Sequence, residues 1–344
     1  MLKKMVTIKE IARRLHVSPA TVSKALAGKS DISPEMKRKV KQLVGELDYR
    51  PNSIARALVT KKTRTLGLVL PYLGNPTTIE RVRGIQHICH ENGYTLISLL
   101  SEEGIEEERK QVEALVSRRV DGIIITPAEN DPCLIRAVKE SGIPLVLMSE
   151  LIDRADCDFV VSNDFKGGRI ATEHLVGLGH RRIAYFGSSP RTYFDQTFLT
   201  GYQKALKDHS LRFKKELVFW GNNEKERLKK NLEKVTELPS PPTAIIAWSD
   251  IMAINIIDRL KNMGLKVPED ISLVGYDNIE FLSVFHIPLT TISVPNYQMG
   301  SRAASLLLER IEKGCRGPSR TVVFKPEIVV RESTSTPGKG GRLE

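Results

Sequence analysis

Residues 7–26 read Thr7-Ile8-Lys9-Glu10-Ile11-Ala12-Arg13-Arg14-Leu15-His16-Val17-Ser18-Pro19-Ala20-Thr21-Val22-Ser23-Lys24-Ala25-Leu26, and their spacing predicts two short helices joined by a tight break. Thr7-Ile8-Lys9-Glu10 has the form of a capping box. In it the Thr7 hydroxyl accepts the Glu10 N–H and the Glu10 carboxylate reaches back to the Thr7 N–H. Ile8, Ile11, Ala12 and Leu15 then recur on one helical face. His16-Val17 breaks the run. Ser18-Pro19 starts a second helix, with proline at the first helical position, where its missing N–H costs nothing. Val22, Ala25 and Leu26 supply its inner face, and Gly28 can end it. Ser33-Pro34 repeats the start signal for a third helix reaching about Leu47, with Val40, Leu43, Val44 and Leu47 as its buried stripe.

The first pair has the spacing of a helix-turn-helix, whose second helix lays its N-terminal side chains against base edges in the major groove. The exposed face of that helix offers Pro19, Ala20, Thr21, Ser23 and Lys24. Small residues allow close approach. Ala20 can touch a thymine methyl, and Lys24 can donate to guanine O6 and N7. Ser18, Thr21, Ser23 and the helix N-terminus suit phosphate oxygens. Taken alone, these residues also fit an ordinary helical hairpin.

Charge bears on the choice. Residues 1–64 hold 16 Lys+Arg and 5 Asp+Glu, a net +11 equal to that of the whole 344-residue chain, so the rest sums to zero. A small cationic module attached to a neutral body is expected to meet a polyanion. No helix pairs a basic face with a bulky aromatic-rich apolar face, which favours nucleic acid over membrane.

At this length two or three domains are expected. From Thr65 the texture changes. Apolar runs at Leu66–Leu70, Leu96–Leu100, Gly122–Ile125, Leu145–Met148, Phe159–Ser162, Ile183–Gly187, Ala244–Trp248 and Ile271–Tyr276 alternate with amphipathic helices. That pattern predicts parallel sheets, and too many strands for one. No apolar run is long enough to span a membrane, and the N-terminus lacks a secretory signal. Cys89, Cys133, Cys157 and Cys315 are widely spaced, as reduced thiols of a cytosolic protein would be. Residues 334–344 read as a disordered tail.

Val6-Thr7-Ile8-Lys9-Glu10-Ile11-Ala12 and Val17-Ser18-Pro19-Ala20-Thr21-Val22-Ser23-Lys24-Ala25-Leu26 together resemble the opening of the LacI/GalR family of bacterial transcription regulators. The resemblance continues through Leu47-Asp48-Tyr49-Arg50-Pro51-Asn52, Ala55-Arg56-Ala57-Leu58, Arg119-Val120-Asp121-Gly122-Ile123-Ile124, Gly179-His180-Arg181-Arg182-Ile183-Ala184 and Leu273-Val274-Gly275-Tyr276-Asp277-Asn278. It covers essentially residues 5–333. It implies an N-terminal all-α helix-turn-helix domain (1–50), a hinge helix and linker (51–64), and a two-lobed α/β domain of periplasmic-binding-protein-like fold (65–333). That domain would have two parallel sheets flanked by helices, with an N-lobe of about 65–162 and 293–324 and a C-lobe of about 163–292 and 325–333.

The family likeness further implies a cytoplasmic, nucleoid-associated homodimer acting as a repressor on a pseudo-palindromic operator in double-stranded DNA, with a small-molecule effector between its lobes. Thr7, Ser18, Pro19, Ala20, Thr21, Ser23 and Lys24 would then face DNA, with Asn52, Ala55 and Arg56 at the groove or backbone. Leu58 takes the place of the leucine that wedges into the minor groove. An apolar side chain among Arg56, Lys61 and Lys62 suits a wedge that kinks a flexible step, and a linker that folds only on DNA accounts for so short a helix. No heptad helix follows residue 333, so a tetramerisation device is not expected.

At the cleft positions the chain departs from sugar-binding relatives. Pro71-Tyr72-Leu73-Gly74-Asn75-Pro76 keeps Asn75 but lacks the usual acid and paired aromatics. Ser149 replaces an aspartate, Phe198 stands where an arginine precedes Gly201-Tyr202, and Trp220-Gly221-Asn222-Asn223 replaces a Gly-Asp-aromatic loop. Asp277 persists. The resemblance assigns Tyr72, Asn75, Ser149, Phe194, Phe198, Asn222, Trp248 and Asp277 to the effector site. Charged planar forks orient sugars. Their loss, with a gain of rings, points to an effector that is not a simple hexose but less polar or aromatic, or to a degenerate pocket.

Enzyme motifs fail on inspection. Gly28-Lys29-Ser30 ends like a phosphate loop, but Ser23 stands at the required glycine and no strand precedes it. Gly177-x-Gly179 precedes a strand instead of following one, so it is no dinucleotide fingerprint. His87 and His90 share a face with Arg83 and Glu91, a solvated face rather than a metal site. No catalytic set, metal or cofactor is expected. The competing class is an α/β small-molecule-binding protein or enzyme carrying a non-specific basic arm.

Overall fold

The computed structural model describes residues 6–49, 57, 60, 62–102, 104–127, 131–152, 156–221, 224–314 and 317–338. They fall into two units, one up to Thr63 and one from Arg64. In the first, α1 (Ile8–Arg14), α2 (Pro19–Leu26) and α3 (Pro34–Glu46) follow their caps closely. Thr7 Oγ1 accepts from Glu10 N at 3.4 Å, Ser18 Oγ from Thr21 N at 3.1 Å and Ser33 Oγ from Met36 N at 3.3 Å. The expected return bond of the capping box is replaced. The Glu10 carboxylate turns instead to Arg13 (2.7 Å) and Arg14 (3.2 Å), two cations one turn away that outbid a single neutral N–H. His16 makes the sharp turn between α1 and α2 at φ 52°. Ile11, Ala12, Val22, Ala25, Val40 and Tyr49 form the small core.

The second unit alternates strand and helix in the order β1 (Thr65–Leu70), α4 (Pro76–Glu91), β2 (Thr95–Leu100), α5 (Ile105–Ser117), β3 (Gly122–Ile125), α6 (Pro132–Glu140), β4 (Leu145–Met148), β5 (Asp158–Ser162), α7 (Asp164–Gly177), β6 (Ile183–Gly187), α8 (Tyr193–Asp208), β7 (Val218–Trp220), α9 (Lys225–Thr236), β8 (Ala244–Ala247), α10 (Asp250–Asn262), β9 (Ser272–Asp277), β10 (Thr290–Ser293), α11 (Asn296–Lys313), β11 (Thr321–Phe324) and β12 (Glu327–Val329). These strands build two six-stranded sheets, ordered β11-β5-β4-β3-β1-β2 and β12-β10-β9-β8-β6-β7. Pairing among the described residues is parallel except for β12 against β10. β3 and β4 are buried at every residue, the pattern of parallel strands covered on both faces. The chain crosses between sheets three times: after β5, after β10, and between β11 and β12.

Helices α4 and α11 approach closely because both carry glycine at the contact. A Cβ on Gly300 would lie 2.0 Å from the Arg81 carbonyl oxygen, and one on Gly84 would lie 2.1 Å from that of Tyr297. This contact sets the position of Arg81.

The segment after Ser333 departs from the expected disorder: it is ordered through residue 338. His180, 1% exposed, donates from Nε2 to the Ser335 carbonyl at 2.9 Å, and Ser335 N donates to Ser272 Oγ at 3.0 Å. His174 Nε2 pairs with Thr334 Oγ1 at 3.0 Å. Burial lowers the pKa of both histidines, favouring the neutral rings that these bonds use. Partners supplied by a helix, a loop and a strand distant in sequence override a local composition poor in apolar residues. Among the described residues, no helix is long and apolar enough to cross a membrane.

Candidate functional site

The outer face of α2 presents Ser18, Pro19, Ala20, Ser23 and Lys24 to solvent, with Thr21 half-buried and Val22 and Ala25 turned inward. Thr7, also exposed, begins α1. The Ser18 and Thr21 hydroxyls lie 2.9 Å apart, so each is partly engaged before any phosphate arrives. Lys24 Nζ sits 2.6 Å from Asp31 Oδ2, and this ammonium holds the Asp31 carboxyl below its ordinary range. Lys24 must exchange that partner to reach a base. Spacing alone gave no sign of Asp31, which lies beyond the helix that carries its lysine partner. Asn52, Ala55, Arg56 and Leu58 lie outside the described residues.

In the second unit, a cavity of about 290 Å³ opens where the C-terminal ends of β1, β3, β4, β5, β6, β8 and β9 converge. Open α/β sheets bind ligands at such ends. Of the residues expected there, Tyr72, Asn75, Ser149, Phe194, Trp248 and Asp277 line it. Phe198 does not. It is fully buried one helical turn beyond Phe194, its ring 5.2 Å from Tyr185 and 6.0 Å from Tyr276, and it supports the wall instead of forming it. Asn222 lies outside the described residues.

The cavity also holds Arg81, Glu150, Asp164 and Tyr276, which the sequence reading missed. That reading looked for an arginine and acids at the positions where relatives carry them and found them gone. The structure brings in replacements from elsewhere: Arg81 from within α4, Glu150 one residue past Ser149, and Asp164 from the first turn of α7. The pocket therefore has aromatic walls, as expected, but an acidic lining.

The acids are buried and held by neutral donors. Asp277 Oδ2 accepts from Asn75 Nδ2 at 3.0 Å, and Glu150 Oε2 from Tyr193 N at 2.8 Å. Asn75 and Glu150 follow strands of one sheet, while Asp277 ends a strand of the other and Tyr193 follows one, so both bonds cross the cleft. Asp164 Oδ1 accepts from Tyr276 Oη at 2.6 Å and from Ser162 Oγ. Arg81 donates from Nε to Asn296 Oδ1 and from Nη1 to Ser149 Oγ, both at 2.7 Å.

Burial pushes the Glu150 carboxyl up to about 8, Asp164 to about 7 and Asp277 to about 6, with the Arg81 charge drawing the two aspartates partway back down. Behind them burial, reinforced by the Asp277 charge, raises Asp250 to about 8. Ser149 (φ 72°) and Asp277 (φ 126°), at the ends of β4 and β9, hold left-handed backbone that ordinary side chains avoid. Such strain concentrates at binding sites.

Cys89, Cys133 and Cys157 are free thiols. Burial pushes Cys89 up to about 11 and Cys157 to about 12. Among the described residues no cluster of His, Cys, Asp or Glu side chains could hold a metal ion.

A capped helix-turn-helix in a basic module, joined in one chain to two α/β sheets with a cleft at their strand ends, defines a ligand-responsive DNA-binding regulator. Residues 7–52 match the model of bacterial regulatory proteins of the lacI family, and residues 172–334 match a periplasmic binding protein-like domain. The HTH-type transcriptional repressor PurR of Aliivibrio salmonicida (strain LFI1238) is 33% identical over 96% of this chain and 99% of its own length. PurR of Vibrio campbellii (strain ATCC BAA-1116) is 36% identical over 96% and 98%. The Lac repressor bound to ONPG in its repressed state matches with a TM-score of 0.84 at 26% identity, covering 96% of this chain and 100% of its own. A complex of the transcriptional regulator CelR with cellobiose matches with a TM-score of 0.73 at 26% identity, covering 95% and 99%. The chain belongs to the LacI family and is a DNA-binding transcriptional repressor controlled by a small-molecule effector.

Proposed function

We propose that this repressor works as a homodimer on a pseudo-palindromic operator, reading base edges with Ala20 and Lys24 and phosphates with Thr7, Ser18, Thr21 and Ser23. Asn52, Ala55 and Arg56 approach the groove or backbone, and Leu58 wedges the central step. The Lac repressor, solved as a dimer bound to its operator, supports the two-fold arrangement. Action on DNA places the protein in the cytoplasm, and no catalytic role is assigned to it.

The observation that carries the effector reading is the pair of bonds crossing the cleft, Asn75 to Asp277 and Glu150 to the Tyr193 backbone. A ligand entering between these groups competes for them and so has different affinities for open and closed lobes. That difference is what shifts a two-state equilibrium. The test replaces both cross-cleft partners, Asn75→Ala with Glu150→Gln, and measures affinity for an operator selected from random DNA. Neither residue belongs to the DNA-binding unit. An operator affinity shifted within the usual allosteric range of about 5–150-fold supports the coupling, and an unchanged affinity refutes it.

A further inference from the structure

The charge in the cleft is one-sided. Three carboxyls, Glu150, Asp164 and Asp277, line it against a single cation, Arg81. No lysine, histidine or second arginine joins them among the described residues. Arg81 is already committed, through Nε to Asn296 and through Nη1 to Ser149. The carboxyls are 7%, 1% and 7% exposed. Their hydrogen bonds come from neutral groups: Tyr193 N for Glu150, Tyr276 and Ser162 for Asp164, Asn75 for Asp277.

The walls have a second character. Phe194 and Tyr276 meet edge to face at 4.9 Å, and Trp248 and Tyr72 add flat apolar surface. The buried indole N–H of Trp248 has no hydrogen-bond partner among the described residues. The site thus holds three acids against one cation and offers ring faces.

We infer that the effector is a small organic cation, a protonated amine, amidine or guanidine on a compact ring or chain, whose nitrogen lies among Glu150, Asp164 and Asp277 and whose body lies against Phe194 and Trp248. This rests on the reading of the cleft as the effector site and narrows it. Buried carboxylates without a counter-ion are costly. A ligand cation supplies that counter-ion, and aromatic faces attract it further. An anion meets three acids and one arginine whose Nε and Nη1 already have partners. A neutral polyol fills hydrogen bonds but leaves the missing charge unsupplied.

Binding also moves protons. The groups facing the ligand nitrogen are Arg81 from α4, Glu150 after β4, Asp164 from α7, and Tyr276 and Asp277 from β9, with Asp195 of α8 and Asp250 of α10 behind them. Burial keeps the facing carboxyls partly protonated near neutral pH, so an arriving cation drives protons off them.

The test is calorimetric titration of the full chain with three probes that share one ring: tyramine, its neutral alcohol 4-hydroxyphenethyl alcohol, and its acid 4-hydroxyphenylacetate. Cellobiose is the sugar control. Tyramine is expected to bind at least about tenfold more tightly than the alcohol, and the acid more weakly than either. Tyramine affinity is expected to rise from pH 6 to pH 8, because an amine with a pKa near 10 stays charged while the carboxyls ionise. Its heat is expected to depend on the buffer in the sense of proton release. Equal binding of the three ring probes, binding of none of them, or tighter binding of cellobiose than of tyramine overturns the cation assignment. Ser189→Trp, which fills the cavity from a half-buried position, separates the two readings. Binding that is abolished by it keeps the cleft as the effector site whichever probe wins, and binding untouched by it overturns the cleft itself.

Discussion

Replacing Asp164 by asparagine tests how strongly the floor of the cleft resists ionisation. Asp164 is 1% exposed, and its Oδ1 takes bonds from Tyr276 and Ser162. Burial raises its carboxyl from 3.8 to about 7. The native state thus holds the proton more tightly than the unfolded chain does. The stability this confers is fully present below about pH 4 and is lost as pH rises through about 7. At roughly 1.36 kcal/mol per pKa unit, the whole interval amounts to about 4 kcal/mol. An amide keeps an oxygen for both donors and never ionises. Asp164→Asn is therefore expected to match the wild type near pH 4 and to exceed it by about 2–4 kcal/mol above pH 7. Urea unfolding followed by tryptophan fluorescence from pH 4.5 to 8.5 measures this. The only tryptophans, Trp220 and Trp248, both lie in the second unit, so the signal reports that unit alone. A stability difference that stays flat with pH refutes the reasoning, since it means the carboxyl is solvated or paired with a cation.

Other substitutions probe the rest. Leu58→Ala is expected to lose most of a preference of about 10³-fold or more for a palindrome with a central C-G step over random duplex. Fold and effector binding should survive, and a variant that grips its operator as tightly as wild type removes the wedge. Lys24→Ala is expected to change base choice within each half-site; a uniform loss across sequences demotes Lys24 to a phosphate contact. Asp31→Asn frees Lys24 from its 2.6 Å partner and is expected to raise DNA affinity at low salt in fluorescence anisotropy, with unchanged affinity showing that the pair costs nothing to break. Gly300→Ala drives a Cβ to 2.0 Å from the Arg81 carbonyl oxygen and is expected to lower the urea stability of the second unit by about 1–3 kcal/mol. A neutral result there means that α4 can slide.

What could be read from the chain follows from how local each determinant is. Ser18-Pro19 and Ser33-Pro34 begin helices through bonds spanning three residues, so both starts are legible in sequence. β3 and β4 are unbroken apolar runs and equally legible. β7, β11 and β12 are three or four residues long and only partly buried, and they carry no comparable pattern. Asn75, Ser149 and Asp277 were found because a family resemblance marks single positions. Arg81, Glu150 and Asp164 were not, because their meeting depends on crossovers that bring strand ends of two sheets together. Phe198 was misplaced for a related reason: alignment gives a position, whereas the packing of α8 decides which residue faces the cavity and which lies behind it. The tail from Thr334 is held by His174, His180 and Ser272, partners more than sixty residues away.

Selection of binding sites from random duplex DNA by the full chain, with the enriched sequences titrated at one fixed salt concentration, tests the central claim most directly. The account predicts a pseudo-palindrome bound about 10³-fold or more tightly than its scrambled counterpart. Recovery of no enriched motif, with equal affinity for selected and scrambled duplexes, contradicts it.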